Sequence, residues 1–194
     1  MACRAGCGNI DDRTNEAGFI HGGTQPRRLI QQEINTMHRD GFGARGGWWV
    51  VAQIPMLLLA YLIPGWTGQA ITGNLASMLI YAGLALLIAG ALLAFTGAVS
   101  LGRWLTPFPQ PLPESPLRTT GAYALVRHPL YSGLLLMAFG WSLYSISVAG
   151  LAFDAVLFVF FDRKAAREEI WLAGKFPGYA AYRRRVKKLI PWIY

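Results

Sequence analysis

Gly121-Ala-Tyr-Ala-Leu-Val-Arg-His-Pro-Leu-Tyr-Ser-Gly133 brings together a cation, an imidazole, a proline and two phenols, then runs straight into the apolar segment 134–146. Arg and His are costly inside a bilayer. At the mouth of an apolar span they mark a membrane-edge site or an interfacial anchor, with Arg snorkelling and Tyr among the headgroups. Pro129 disfavours helix at His128 and suits the first position of a helix. The stretch therefore predicts a loop bearing Tyr123, Arg127 and His128 that turns into a helix at Pro129. Helix N-termini attract anions and carboxylates, which suits a polar ligand there.

The chain has 194 residues, enough for one domain, with 54% hydrophobic and 14% charged residues. Soluble domains carry about 25% charge, so this composition points to a membrane protein. The formal charge of +8 does not point to nucleic acid, because the basic residues lie between and after apolar spans. Cys3 and Cys7 imply no disulfide framework. With His21 and His38 they match no standard zinc spacing, so no metal is expected. The N-terminus begins polar, unlike a cleavable signal peptide.

Residues 1–45 have no sustained apolar period and are expected to form a flexible polar tail, with a short amphipathic helix over 29–37. The remaining 46–194 form the membrane domain. Its first span, 47–63, opens on Trp48 and Trp49, holds Pro55 and stops at Pro64-Gly65. The second, 75–99, carries Gly83, Gly90 and Gly97 seven residues apart, which fall on one face and let a helix approach closely. Thr106-Pro-Phe-Pro-Gln-Pro-Leu-Pro-Glu-Ser-Pro116 is no regular helix, but stiff enough to hold a shape. Spans 130–147 and 148–161 are joined by so short a turn that they must form an antiparallel hairpin. Asp154 lies within the fourth span, either facing the bundle or serving a site. The helix then leaves the membrane with Lys164 and Glu168 four residues apart on one face and Glu169 beside them. Phe176-Pro-Gly178 breaks it before a basic cluster, residues 183–188, that suits anionic lipids.

Every Lys and Arg lies in the N-terminal tail, the loop between spans two and three, or the C-terminal region. The positive-inside rule puts those three in the cytoplasm. The expected architecture is all-α: a polytopic bundle of about four transmembrane helices with both termini, the loops and the C-terminal helices cytoplasmic. The Pro-rich loop, the Arg-His-Pro turn and the Glu-Glu helix then meet at one membrane face.

The ordered set Leu117-x-Thr-x-Gly121-x-Tyr123, Arg127-His-Pro-x-Tyr131-x-Gly133, Glu168-Glu169-x-x-Leu172, Phe176-x-x-Tyr179-x-x-Tyr182 and Ile190-Pro191 resembles the isoprenylcysteine carboxyl methyltransferase family. It is also similar to the phospholipid N-methyltransferases in the Arg-His-Pro-x-Tyr and Glu-Glu pieces. The resemblance covers 102–194. It implies an integral membrane enzyme that transfers a methyl group from S-adenosylmethionine, releasing S-adenosylhomocysteine, without a soluble dinucleotide-binding fingerprint. The cofactor contacts it implies are Leu117, Arg118, Tyr123, His128, Pro129, Leu130, Tyr131 and Glu168. Arg118 stands where an apolar residue is expected. Lys164 falls at a substrate-binding Arg and lacks that residue's bidentate fork. The catalytic set implied is His128, Glu168 and Lys164, with no metal.

The methyl acceptor stays open. A carboxylate is ionised at neutral pH and needs no base, as in a prenylated cysteine. A phospholipid amine would need one, from His128, Asp154, Glu168 or Glu169, and another small lipophilic acceptor is a further alternative. The acceptor is expected to arrive laterally from the bilayer, and no obligate protein partner is implied. A transporter or scaffold anchored by the Arg-His-Pro turn is the non-enzyme alternative.

Overall fold

The computed structural model describes Gly43 and residues 46–194. Apart from Gly43, the expectations for the N-terminal tail, its amphipathic helix and its Cys and His residues lie outside the described residues. Among those, the fold is all-helical, and the sole extended pairing is an isolated parallel bridge between Val126 and Lys187. The helices are α1 (Gly47–Thr67), α2 (Asn74–Leu101), α3 (Ala122–Leu125), α4 (Pro129–Tyr144), α5 (Val148–Lys175) and α6 (Tyr179–Arg185), with a 3-10 turn at Gly102–Trp104 after α2.

α1 does not stop at Pro64-Gly65 as the sequence predicts, but continues to Thr67. Proline breaks a helix because it removes one N–H and crowds a carbonyl. Here neighbours take up the carbonyls around it. The Trp141 indole donates to the Tyr61 carbonyl at 2.9 Å, and the Thr67 hydroxyl donates to the Ile63 carbonyl at 2.7 Å. Such rescue is what lets apolar helices keep prolines.

α2 and α4 form the closest pair. Gly83, Gly90 and Gly97 are buried as predicted, and Ala76 extends their heptad. The opposing face of α4 has its own small pair, Gly133 and Gly140, whose role the α2 heptad alone does not disclose. A methyl group on Gly83 would lie 2.5 Å from the Tyr144 amide nitrogen, and one on Gly90 would lie 2.7 Å from the Gly133 carbonyl. The pairing thus depends on small residues on both helices.

α4 and α5 form the predicted hairpin through residues 145–147, with Ser147 capping α5 by accepting from the Gly150 amide at 2.9 Å. The Ser147 hydroxyl also bonds Thr67, tying the end of α1 to this turn. α1 lies along α5, where Ala60, Ala138, Leu157 and Phe161 make the apolar core. Asp154 is buried away from this core, in the wall of a cavity it shares with Leu135 and Phe139 of α4 and Leu189 of the C-terminal segment.

Two helical stretches, Gly47–Thr67 and Asn74–Trp104, are long and apolar enough to cross a membrane. The 16 residues of α4 rise only about 24 Å, short of a full hydrocarbon core of about 30 Å. α1 and α2 do not pack on each other. An apolar cleft of about 310 Å³ opens between them, walled by Leu57, Ala60 and Tyr61 on α1, Leu87 on α2, and Leu134 and Trp141 on α4.

Candidate active site

The Arg-His-Pro turn is built from both sides. Gly121 precedes α3 with φ 63°, a conformation that favours glycine. Pro129 opens α4 at its first turn, as predicted. The C-terminal segment then pairs with the turn: the Arg127 amide donates to the Lys187 carbonyl at 2.8 Å, and the His128 amide to the Lys188 carbonyl at 3.2 Å. The Ser132 hydroxyl donates to the Leu189 carbonyl at 2.7 Å. The amides of Arg127 and His128 are therefore spent on the fold. The donors left at this helix start belong to Leu130 and Tyr131, which have no acceptor within the helix.

The two consecutive glutamates separate. Glu169 is buried and its Oε1 accepts from Arg127 Nε at 2.8 Å, while His128 Nε2 lies at 3.3 Å. Arg127 also donates to the carbonyls of Arg183 and Val186 at 2.9 and 2.7 Å. Burial would raise the Glu169 carboxyl, but His128 and Arg127 outweigh it and hold the group at about 2. Glu168 is partly exposed. Its Oε2 accepts from the Tyr131 hydroxyl at 3.0 Å and lies 3.5 Å from His128 Nδ1. His128 thus sits with a carboxylate at each ring nitrogen. Burial pulls its pKa down, but the two glutamates more than offset that and raise it above the ordinary histidine value.

Two adjoining pockets meet at Glu168. One, about 80 Å³, lies under the Pro-rich loop; it is lined by Leu117, Arg118, Tyr123 and Glu168, with Trp104 and Phe176 among its aromatic walls. The other is lined by His128, Leu130, Tyr131, Tyr123 and Glu168. All the sequence-predicted residues but two line one or the other. Pro129 faces away and packs on Gly97 of α2. Lys164 lies behind Tyr131, its ammonium 5.2 Å from the centre of that ring.

Lys164 is almost fully buried, at 1% exposure. It donates to the Gln53 side-chain oxygen and, at 3.1 Å, to the Pro107 carbonyl. No carboxylate lies within ion-pair distance of it among the described residues. Burial draws it down from the ordinary lysine value to about 8, although Glu168 pulls the other way.

Three residues at the site are not evident from the sequence. Gln53 reaches Lys164 from α1, a partnership across 111 positions that no local spacing reveals. Lys175 donates to the Leu112 carbonyl and, at 3.1 Å, to the Ser115 carbonyl, so it tethers the Pro-rich loop. Tyr179 lines the loop-side pocket with a buried hydroxyl that has no hydrogen-bond partner among the described residues. Its Phe176-x-x-Tyr179-x-x-Tyr182 spacing marks a helix face, not a pocket wall.

Residues 78–178, which contain most of these groups, match the phospholipid methyltransferase family model. The chain belongs to the phospholipid methyltransferase family. Individual relatives bear out the resemblance seen in the motifs. Protein-S-isoprenylcysteine O-methyltransferase B of Arabidopsis thaliana is 31% identical over 115 residues, 57% of this chain and 58% of that protein. The protein-S-isoprenylcysteine O-methyltransferase of Schizosaccharomyces pombe is 40% identical over 79 residues, 40% of this chain and 34% of that one. The cobalt-zinc-cadmium resistance protein CzcN of Cupriavidus metallidurans is 30% identical over 157 residues, 80% of this chain and 65% of that one. Each match spans less than two thirds of the relative's own length. The phospholipid methyltransferase match takes in Lys164, Glu168 and the Arg-His-Pro turn but leaves out α1 and Gln53.

Proposed function

We propose that this protein is an integral membrane methyltransferase that uses S-adenosylmethionine to esterify the carboxylate of a lipophilic acceptor, of the class of a prenylated cysteine. The single observation that carries the acceptor class is Lys164: a buried ammonium behind Tyr131, met by two neutral oxygens and by no carboxylate among the described residues. A buried unpaired charge is costly, and an acceptor carboxylate would relieve it.

The pocket residues fit the cofactor. Aromatic walls suit an adenine. Glu168 would hold an ammonium or ribose hydroxyls, and the Leu130 and Tyr131 amides a carboxylate. The orphaned Tyr179 hydroxyl would gain a partner. Bound there, S-adenosylmethionine supplies an electrophilic methyl on a sulfonium and leaves as S-adenosylhomocysteine. Ligand pockets measure roughly 300–1,000 Å³, so at about 80 Å³ the space under the Pro-rich loop must open for entry, against the Lys175 tether.

The chain's own contribution is placement. Lys164 orients the carboxylate, Tyr131 stands between it and Glu168, and the apolar cleft excludes water from the lipid chain. A carboxylate releases no proton on methylation. An amine would, and two of the candidate bases are engaged: the flanking carboxylates draw His128 toward its protonated form, and Glu169 is held by Arg127. Asp154 lies 14 residues before Glu168, about 21 Å along α5.

We take α1 and α2 as full spans and the α4–α5 hairpin as two shorter ones. Both termini and the pockets are cytoplasmic, and the exposed Arg183, Arg184 and Arg185 face anionic lipid. Methyl transfer from labelled S-adenosylmethionine to farnesylated cysteine, and separately to phosphatidylethanolamine, tests the reaction. Transfer to the cysteine compound is expected; transfer to the amine lipid alone overturns it.

A further inference from the structure

Lys164 has three N–H donors. One meets Gln53 Oε1 and one meets the Pro107 carbonyl, which leaves the third without an acceptor among the described residues. The first of these bonds also orients Gln53. Its amide oxygen must face the ammonium, so its NH₂ group points elsewhere. No hydrogen bond from that NH₂ is found among the described residues. Gln53 stands one helical turn before Leu57 on α1, and Tyr131 stands one turn before Leu134 on α4; Leu57 and Leu134 wall the apolar cleft. Gln53 and Tyr131 thus sit one turn beyond wall residues of the cleft, and Tyr131 links the Lys164 ammonium, 5.2 Å from its ring, to Glu168, to which its hydroxyl donates.

The geometry points to a two-point carboxylate receptor made by two helices: the free Lys164 N–H takes one oxygen of the acceptor's carboxylate and the Gln53 NH₂ takes the other, with the lipid chain lying along the cleft. This deepens the carboxylate reading and rests on it. An arginine carries two such donors on one rigid fork. Here the donors come from α5 and α1, so recognition depends on the packing of those helices. It also makes the residue at 53 a determinant of acceptor class. Glutamine presents a donor to an anion. A glutamate there would supply its own carboxylate to Lys164 and exclude the acceptor's.

The test is binding of two probes to the full-length protein in detergent with S-adenosylhomocysteine present: a farnesyl thioether ending in a carboxylate, and the same molecule ending in an alcohol. The wild type is expected to prefer the acid by tenfold or more. Gln53→Leu is expected to weaken the acid about tenfold, the scale of one hydrogen bond to a charged group, and to leave the alcohol unchanged. Gln53→Glu gives Lys164 an ion-pair partner, so it keeps the fold, and is expected to abolish the preference. Unchanged acid affinity in both variants, with S-adenosylhomocysteine still bound, overturns the receptor. Methyl transfer measured in parallel separates the two ideas. A wild type that shows the acid preference, with the variants losing it, yet methylates no carboxylate refutes the proposed reaction and supports the receptor. A wild type that methylates the acid, with variants of unchanged KM, refutes the receptor alone.

Discussion

Arg127 holds Glu169 with two nitrogens on one oxygen: Nε and Nη2 each lie 2.8 Å from Oε1. Its remaining nitrogen caps two carbonyls of the C-terminal segment, so one guanidinium joins the turn before α4, the C-terminal half of α5 and α6. His128 Nε2 completes the cluster on the same oxygen, 3.3 Å away.

Removing the charge of Glu169 leaves Arg127 buried without its partner. Glu169→Gln is expected to cost about 3 kcal/mol, the scale for breaking a buried pair, read as a lower unfolding temperature in detergent. The pH dependence has two limbs. Glu169 is held below its ordinary 4.5, at about 2, so its contribution is present above 4.5 and fades as pH falls toward 2. His128 is raised above 6.5, so its contribution is complete below 6.5 and is lost as pH rises through the folded value. The gap in unfolding temperature between wild type and Glu169→Gln should be widest from pH 4.5 to 6.5. A gap that does not vary with pH would exclude the ionic cluster as its cause.

Lys164 titrates near 8 because burial disfavours its charged form. With a carboxylate acceptor, kcat/KM should fall as pH rises through about 8, since the free enzyme loses the cation that binds the anion. Lys164→Arg keeps its charge and should carry activity to higher pH. Lys164→Ala should lower kcat/KM about a hundredfold, the scale of removing one charge-assisted hydrogen bond from a buried site. A wild-type profile that stays flat well above that value would remove Lys164 from acceptor binding.

Tyr179→Phe separates ligand binding from folding. Its hydroxyl has no partner among the described residues, so its removal should leave the unfolding temperature unchanged or slightly higher. Affinity for S-adenosylhomocysteine, measured by calorimetry, should drop a few-fold, about one neutral hydrogen bond. Glu168→Ala should weaken the same ligand about tenfold or more, since a charged acceptor is removed. Normal affinity in both variants would move the cofactor out of these pockets.

Topology is tested with reporters fused after Trp66 and after Tyr194. Trp66 lies beside the α4–α5 turn, where Thr67 meets Ser147, and Tyr194 lies beside Asp162 farther along α5. The two reporters are expected in opposite compartments. The same compartment for both would contradict the orientation drawn from the basic residues.

Local rules made much of this legible in advance. The apolar periods located the long helices, because hydropathy and length act within a single segment. The heptad Gly83, Gly90 and Gly97 revealed a close-packed face, since every seventh residue returns to one side of a helix. The Arg-His-Pro order marked the start of α4, because proline restricts the residue before it and opens a helix well. The end of α1 differs from the sequence expectation because Pro64 breaks an isolated helix, whereas here the last turns of α1 are bonded to Trp141 and Ser147, each 80 positions from its partner.

By itself, then, the sequence determined the helices, the hairpin and the set of polar groups gathered at one face. Only the tertiary structure decided their roles. Glu168 and Glu169 are adjacent in sequence, but they point about 100° apart around α5, and which one meets Arg127 depends on how the C-terminal segment docks. The helix start at Pro129 suits a ligand by sequence, but the C-terminal segment claims the amides of Arg127 and His128 just before it. By spacing Lys164 shares a helix face with Glu168, yet its hydrogen-bond partners are Gln53 on α1 and the Pro107 carbonyl. Hydrogen bonds between distant segments follow the packing of whole helices, and no short window of sequence encodes that packing.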